Sequence, residues 1–526
     1  MAENTNKFPG NANLPMDAKA TCVANVASWF PGGQITPNGW VEPANSLDPV
    51  FADFENNTRC DFYKWGAQMF LWLTSGNSTK HVFNTSPEFY NVSVEANKER
   101  QFLKSDGPML LGVRKGKTDK EIELGQAGGG DVLLSQKDSL VYYGLHANDV
   151  FALYTTGQKN KVFNNSTEWG LADEDSACLA QYESCASEIA GFCKEQLNTC
   201  THDNFPSTLA QMKVVKDFAT SYGYPLSSTQ LNIKKPTSPM AIELKTSWID
   251  ASTLTNSKDY VLTQAVVPVF DRSAPKGPWT IKENEEKTLA MVGMHVVGTV
   301  NGHPEMIWNT FEHVNNVPDN TYVYTNTSNQ PATQEYNSKG NWNFLPSKAA
   351  APSSITANAK VITDSDGSLT SCIISVPPKQ PKDPQTTCTP VKATNPDIAS
   401  IDILRVDPWG NQHGVNTKAN VSNNTDLVSI NVSVLSQLKA GDIRGNYIQT
   451  GGVWTAKGQI PPDGTDSNLR GSLNLANTTM ETFYQFQHKG KNAFNPENCF
   501  GCHGTKKAAT EVSHIFNALQ PLPKKR

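Results

Sequence analysis

The sequence predicts an α+β fold whose body is a β-rich antiparallel sheet or sandwich. Between residues 230 and 325, stretches such as DYVLTQAVVPVF and TLAMVGMHVVGTV alternate in polarity and are rich in β-branched side chains. A period of two with this composition is typical of antiparallel strands. Residues 62–73 instead place aromatic side chains at helical spacing, and residues 208–223 read as a second helix. These helices complete the α+β prediction.

Changes of composition along the chain predict four regions. The first contains one aromatic helix and short β-like runs, among them SLVYYGL and VFALY. The second is a helical insert with a cysteine hairpin, and the third is the β-rich body, with loop excursions at 326–400 where Ser, Thr, Asn, Ala and Pro dominate. The fourth is a small C-terminal α-helical segment. The predicted boundaries are 1–172, 173–222, 223–470 and 471–526.

Charge and hydropathy restrict the partners of this 526-residue chain. Its net charge is −5, whereas a nucleic-acid partner usually requires a basic face, so we expect none. No run of 18 or more apolar residues occurs, and we therefore predict no membrane span. Composition does not choose between a partner protein, a small-molecule substrate and self-association.

The most specific motif is the pentapeptide CFGCH at residues 499–503. The spacing Cys499-x-x-Cys502-His503 is the attachment pattern of a c-type haem. Two thiols add to the vinyl groups of one rigid porphyrin, and the adjacent imidazole then lies under the iron. The alternatives are half of a zinc site, which needs a second ligand pair, and a thioredoxin-like redox pair, which needs a βαβ setting. Neither context is visible nearby, so we predict one covalent haem c.

The other eight cysteines suggest disulfide bonds formed in an oxidising compartment. Cys178 and Cys185 are seven residues apart, as are Cys193 and Cys200, so each pair shares one face of a helix. Two disulfides would then join a pair of antiparallel helices. The alternative is that these cysteines are buried free thiols. The predicted pairs are Cys22–Cys60, Cys178–Cys200, Cys185–Cys193 and Cys372–Cys388.

Disulfides and covalent haem both favour a site outside the cytoplasm. The polar N-terminus has no apolar stretch of the kind found in signal peptides. The sequence alone would suit a cytoplasmic protein or a mature chain from which the signal has been removed. Together with the cysteines it favours a periplasmic or extracellular mature chain.

The sixth ligand of the iron is the open question at the haem motif. The 23 residues that follow His503 contain no Met, unlike the common arrangement in which a Met ligand lies well downstream. His514 is the first candidate, on a helix that returns after a turn at residues 504–505. Met480 and His488 are the next candidates. An open distal face would instead permit peroxide or oxygen chemistry.

A second constellation lies in the stretch LAMVGMHVVGTVNGHPEMIWNTFEHVNN. Imidazole with carboxylate suits zinc or non-haem iron, and thioether with imidazole suits copper. However, neighbouring residues of a strand face opposite sides, so at most half of the set can share one pocket. The alternative is a buried polar network in a sheet. The candidate residues are His295, His303 and His313, with Glu305, Glu312, Met294 and Met306.

Five segments resemble a little-characterised group of exported bacterial proteins that have a β-rich body and a single C-terminal cytochrome-c motif. The resemblance extends over most of the chain and implies the same architecture, but no established activity. Only the haem-motif residues carry over from it. The segments are YKWGAQMFLWLT (63–74), SLVYYGLHANDVFALY (139–154), IELKTSW (242–248), residues 289–316 and METFYQF…NCFGCH (480–503).

Three functions are consistent with these features. The first is an exported monohaem c-type cytochrome that acts in electron transfer. The second is a haem-dependent oxidoreductase, resembling a peroxidase or an oxidase, with an open distal site. The third is an interaction or assembly subunit that carries an accessory haem. The identity of the sixth ligand separates the first two.

Overall fold

A twisted, open β-sheet organises the molecule. The structure is a computed structural model, and the residues that it describes are 13–44, 59–85, 87–93, 99–104, 107–112, 131–163, 204–224, 239–346, 352, 361–363, 367–371, 373–374, 388–389, 397–456, 458–482, 487–488, 491–492, 498–505 and 509–523. In this part of the chain the sheet has ten strands. They are β1 (Phe89–Val92), β2 (Phe102–Lys104), β3 (Met109–Leu110), β4 (Tyr142–Asn148), β5 (Ile242–Asp250), β6 (Leu262–Phe270), β7 (Ile281–Val300), β8 (His303–His313), β9 (Tyr447–Thr455) and β10 (Leu469–Gly471).

The strand order across the sheet is β10-β9-β8-β7-β5-β4-β1-β2, and these neighbours are antiparallel. The N-terminal half of β7 also pairs with β6, which in turn pairs in parallel with β3. This path has two free ends, so the described strands do not close into a barrel. The predicted α+β class with an antiparallel sheet is therefore confirmed.

Strands from both predicted β-rich regions join in this one sheet. Strand β4, from the first region, pairs with β5, from the third, over the register Tyr142↔Trp248 to Ala147↔Glu243. Strands β7 and β8 are joined by a tight turn in which Gly302 has φ 72°. That left-handed conformation suits a residue without a Cβ atom.

Helices cover both faces of the sheet. They are α1 (Arg59–Leu73), α2 (Val82–Thr85), α3 (Asp149–Lys159), α4 (Leu209–Ser221), α5 (Lys418–Leu435) and α6 (Cys499–His503). Short strand pairs lie outside the main sheet: Gly76–Asn77 with Lys80–His81, Tyr322–Thr325 with Pro331–Gln334, Ile373–Ile374 with Cys388–Thr389, and Gln487–His488 with Lys491–Asn492. Val361–Thr363 pairs with both Leu369–Ser371 and Asp131–Val132. None of the helices in the described residues is long and apolar enough to cross a membrane.

Alternation along the strands separates two hydrophobic layers. On one face, which we call the helix face, Met294 and Val296 pack in the same cluster as α1 and α5. On the other, the C-terminal face, Val297 and Trp308 pack with α3, α4 and the end of the chain. Each layer buries aromatic and branched side chains, which is the main stabilising contribution of such a fold.

The run VFALY is helical, contrary to the β-like pattern in its sequence. Asn148 ends β4 and caps α3, since its side chain accepts a hydrogen bond from the Phe151 backbone N–H at 3.0 Å. Residues 149–158 of the helix are all buried. A helix that is buried on every side lacks the polar stripe by which a helix is usually recognised in a sequence.

The disulfide Cys22–Cys60 is present and joins the N-terminal segment to the first turn of α1, with its Cα atoms 5.3 Å apart. Beside it, Ser429 of α5 accepts a hydrogen bond from the Cys22 backbone N–H at 2.8 Å. The cysteines of the other predicted pairs lie outside the described residues. They are Cys178, Cys185, Cys193, Cys200, Cys372 and, for its side chain, Cys388.

Removing this disulfide should destabilise the protein substantially. The bond closes a loop with a sequence separation of 38 residues. The loop-closure entropy of the unfolded chain then predicts a loss of about 4 kcal/mol for Cys22→Ser/Cys60→Ser. Urea unfolding of the variant and the parent measures it. Two results would contradict the expectation: an equal free energy of unfolding for the two proteins without a reductant, or an equal decrease in both when a reductant is added.

Candidate functional site

The CFGCH motif forms a single helical turn, α6, that is tied to the body by its flanking residue. Asn498 accepts a hydrogen bond from the Phe500 backbone N–H at 3.1 Å and donates one to the Gly464 carbonyl at 3.0 Å. Phe500 is buried and its ring lies edge-on to Trp308 of β8, with centroids 5.8 Å apart. The motif is therefore anchored on the C-terminal face of the sheet.

The two motif cysteines are reduced thiols on one side of this turn. Cys499 and Cys502 are separated by three positions, which places their side chains over the same part of the helix surface. Cys499 is partly buried and Cys502 is exposed. Burial, and secondarily the Glu481 carboxylate, raises the pKa of the Cys499 thiol far above its usual range. Cys499 is consequently a neutral thiol rather than a reactive thiolate at physiological pH.

His503 is held in the tautomer that an iron ligand requires. Its Nδ1 lies 2.8 Å from the Val512 carbonyl oxygen, which can only accept, so Nδ1 carries the proton and the lone pair is on Nε2. Burial lowers the pKa of His503 well below its usual value, and His514, Lys245 and His295 lower it further. The imidazole is therefore neutral.

This donor set fits a covalent haem. Two reduced thiols on one helical turn can form the two thioether bonds. The adjacent neutral imidazole presents Nε2, and its Nδ1–H is bonded to a carbonyl, the arrangement by which proteins orient a metal-ligating histidine. The fit rests on Cys499, Cys502 and His503 alone.

Two rings pack against the His503 imidazole. Trp308 lies with its ring centroid 4.2 Å away at an interplanar angle of 44°. His514 is stacked, with centroids 3.7 Å apart at 14°. The His514 Nε2 lies 3.0 Å from the Cys502 carbonyl, so this nitrogen carries the proton. Burial lowers the pKa of His514 as well.

The residues suggested as sixth ligands are not grouped opposite His503. His514 lies beside the His503 ring, and the chain that carries it forms a short 3-10 helix, Ala509–Val512, followed by turns rather than the expected α-helix. Met480 is buried in a separate cluster with Ile249, Val292 and Phe344. The side chain of His488 lies outside the described residues.

One member of the second constellation does lie at the haem motif. His295 of β7 is directly opposite Lys245 of β5, and its Nε2 is 3.0 Å from the Glu481 carboxylate. Burial alone would raise the pKa of Glu481, but His295 and Lys245 hold it below its usual value. Lys245 and His295 also act on His503. The sheet therefore places Lys245 and His295 beside the motif.

His303 and His313 lie at the two ends of β8, roughly 30 Å apart for a strand of this length. His303 is buried and its Nδ1 is 2.7 Å from Glu305. His313 is stacked on Tyr260, accepts a hydrogen bond from the Asn315 N–H and lies 3.2 Å from the Asp259 carbonyl.

Both nitrogens of His313 are thus engaged with the protein. Among the described residues, no group of three or more His, Cys, Asp or Glu side chains could hold a metal ion. The histidines of this stretch instead take part in separate polar contacts.

A buried ion-pair network fixes the turn that carries Glu481. Glu312 accepts hydrogen bonds from the Thr478 backbone N–H at 2.9 Å and from the Arg405 guanidinium at 2.8 Å. Arg405 also pairs with Asp319. Burial alone would lower the pKa of Arg405, but these two carboxylates raise it. The cation is therefore retained in the core.

Several of these contacts around the motif cannot be recognised from the sequence. Val512 acts through its backbone carbonyl, so its side chain carries no information. Trp308 shares a face with His295 only because of the register Val297↔Trp308. Lys245 resembles an ordinary surface cation of a strand until β5 is placed beside β7.

Comparisons with protein-family models, with curated proteins and with solved structures gave no match to this chain.

Replacing Arg405 should cost much of the stability of the fold. In Arg405→Leu, the Glu312 and Asp319 carboxylates would stay near each other without a cation. Breaking a buried pair in this way costs about 3–5 kcal/mol. Chemical unfolding measures the loss, with the exposed Arg470→Leu as control. Equal stability of the two variants would show that the network contributes little.

Stability should fall on mild acidification because two buried histidines stay neutral in the fold. Burial lowers the pKa of His146 and of His313 to about 3, against 6.5 for a free imidazole. The unfolded chain takes up these protons first, so stability present above pH 6.5 is lost as the pH falls towards 3. Between pH 7 and pH 5 each histidine accounts for about 2 kcal/mol.

Urea unfolding of His146→Gln at pH 7 and pH 5 measures the contribution of one of them. The acid-induced loss should be smaller by about 2 kcal/mol than in the parent. His413→Ala, at an exposed histidine, is the control variant. An unchanged loss in His146→Gln would refute the assignment.

Proposed function

We propose that this protein is an exported monohaem c-type cytochrome that acts in electron transfer. The haem would be attached through Cys499 and Cys502, with His503 as the proximal ligand of the iron. The observation that carries the proposal is the His503 tautomer: its Nδ1–H is bonded to the Val512 carbonyl beside two reduced thiols with the required spacing. A redox dithiol does not need this imidazole, and a zinc site would need a group of ligands that the described residues do not form.

Bound haem supplies one-electron redox chemistry. The chain's own residues hold the iron ligand in a single orientation and cover it on the side that faces the protein. Val512 fixes the rotation of the His503 ring, and Trp308 and Phe500 cover the protein side of the motif. Cys502 is exposed, which leaves one side of the motif open to an approaching redox partner.

Export is part of the same proposal. The Cys22–Cys60 disulfide supports an oxidising compartment, because such bonds are rare where thiols are kept reduced. A periplasmic or extracellular location would also be the compartment in which haem c is attached. The resemblance to exported bacterial proteins with a C-terminal cytochrome-c motif agrees with this location.

The second candidate is a haem-dependent oxidoreductase with an open distal site. It is favoured by the placement of His514 and Met480: the first is stacked on His503, and the second is packed in a different cluster. If neither occupies the sixth position, an external ligand has access to the iron. Binding of carbon monoxide by the reduced protein without loss of a protein ligand would favour this candidate over the electron carrier.

The test is covalent haem attachment during expression in a periplasm that has the attachment machinery. The parent should carry one haem that survives acid extraction, with the pyridine haemochrome spectrum of two thioether bonds. Cys499→Ser and Cys502→Ser should each retain at most one thioether bond, and the double variant none. These changes follow because each thiol forms one bond to the porphyrin.

The Cys22→Ser/Cys60→Ser variant is the matched control, because it removes two cysteines away from the motif. Per folded molecule it should keep the parental haem content. A parent protein that carries no covalent haem under these conditions would refute the proposed function.

A further inference from the structure

We infer that His514 is a positioning residue on the proximal side of the haem, holding His503 and the attachment turn, and not the sixth ligand of the iron. The inference rests on the proposed function, since it concerns the same site. It names a role for the one imidazole that the sequence places close behind the motif.

The stacking of the two rings excludes the role of sixth ligand in this arrangement. The two axial ligands of one iron lie on opposite faces of the porphyrin, with the metal between their nitrogen atoms. The rings of His503 and His514 are in direct contact, with centroids 3.7 Å apart and planes within 14° of parallel. No porphyrin fits between rings at that separation. His514 would therefore lie on the same side of a bound haem as His503.

The hydrogen bonds of His514 point to its role. Its Nε2–H donates to the carbonyl of Cys502, which is the last thiol-bearing residue of the attachment turn. In return, His503 donates its Nδ1–H to the carbonyl of Val512, two residues before His514. Two segments of chain thus exchange one hydrogen bond each and share a ring stack.

This reciprocal contact restricts both movements that would disturb an iron ligand. The Val512 carbonyl prevents rotation of the His503 ring about its Cβ–Cγ bond, and the stacked His514 ring prevents its tilt. The bond to the Cys502 carbonyl holds the turn from which one thioether bond would extend. Outer contacts of this kind set the orientation and basicity of a ligating histidine.

The three variants His514→Phe, His514→Gln and His514→Ala separate the two roles in the haem-loaded protein. Phenylalanine keeps a stacked ring without the donor, and glutamine keeps a donor without the stack. Alanine removes both. His413→Ala, at an exposed histidine, is the control. Phenylalanine and glutamine are the informative variants if alanine prevents folding.

The measurements are the spin state of the oxidised haem from its absorption spectrum and the paramagnetically shifted proton resonances of the His503 ring. We expect all three variants to keep the parental spin state, because His514 does not bind the iron. The His503 resonances should shift in His514→Ala and return part of the way towards the parental positions in His514→Phe.

Two results would overturn the inference. Conversion of the parental low-spin haem to a high-spin form in His514→Ala and His514→Phe, reversed by added imidazole, would make His514 the sixth ligand. Unchanged His503 resonances in every variant would make it an ordinary packing residue. Neither result resembles a failure of the proposed function, which would be the absence of covalent haem from the parent protein.

Discussion

Backbone pairing along β7 is the constraint on which the rest of the molecule depends. This strand is 20 residues long and pairs with β5 on one edge and with β6 and then β8 on the other. Its pleat directs Met294 to the helix face and His295 to the C-terminal face. A register shift of one residue would exchange these faces and place a histidine against α1 and α5.

The haem-motif turn has little stability of its own and takes its geometry from the sheet. A helix of five residues is far shorter than one that persists in isolation. It is held by the Asn498 cap, by the packing of Phe500 on Trp308 and by the bond from His503 to Val512. The orientation of the His503 imidazole is therefore a tertiary property.

Polar groups between the sheet and the C-terminal segment add specificity to this docking. Glu312, buried under Arg405, accepts the backbone N–H of Thr478 and so positions the turn that leads to Glu481. Glu481 then meets His295 beside the motif. Burying these charges is costly unless each is paired with a partner. The segment therefore docks on the sheet in one favourable position.

The sequence by itself determined the class of fold and one disulfide, and it predicts a cofactor. The spacing of Cys499, Cys502 and His503 predicts the cofactor, the β-branched alternation predicts the antiparallel sheet, and the proximity of Cys22 and Cys60 in the chain predicts their bond, which the structure confirms. Each of these signals is local, and a local pattern can be recognised from residue types and their spacing.

Only the tertiary structure decided which groups surround the motif. His295 and Lys245 reach it because β7 and β5 are neighbours, and Val512 contributes a carbonyl that no side chain reveals. The helix α3 was missed because it is buried on every side, so its sequence lacks the alternation of polar and apolar residues by which a helix is recognised. Contacts between segments distant in sequence follow from strand order and register, which one sequence does not specify.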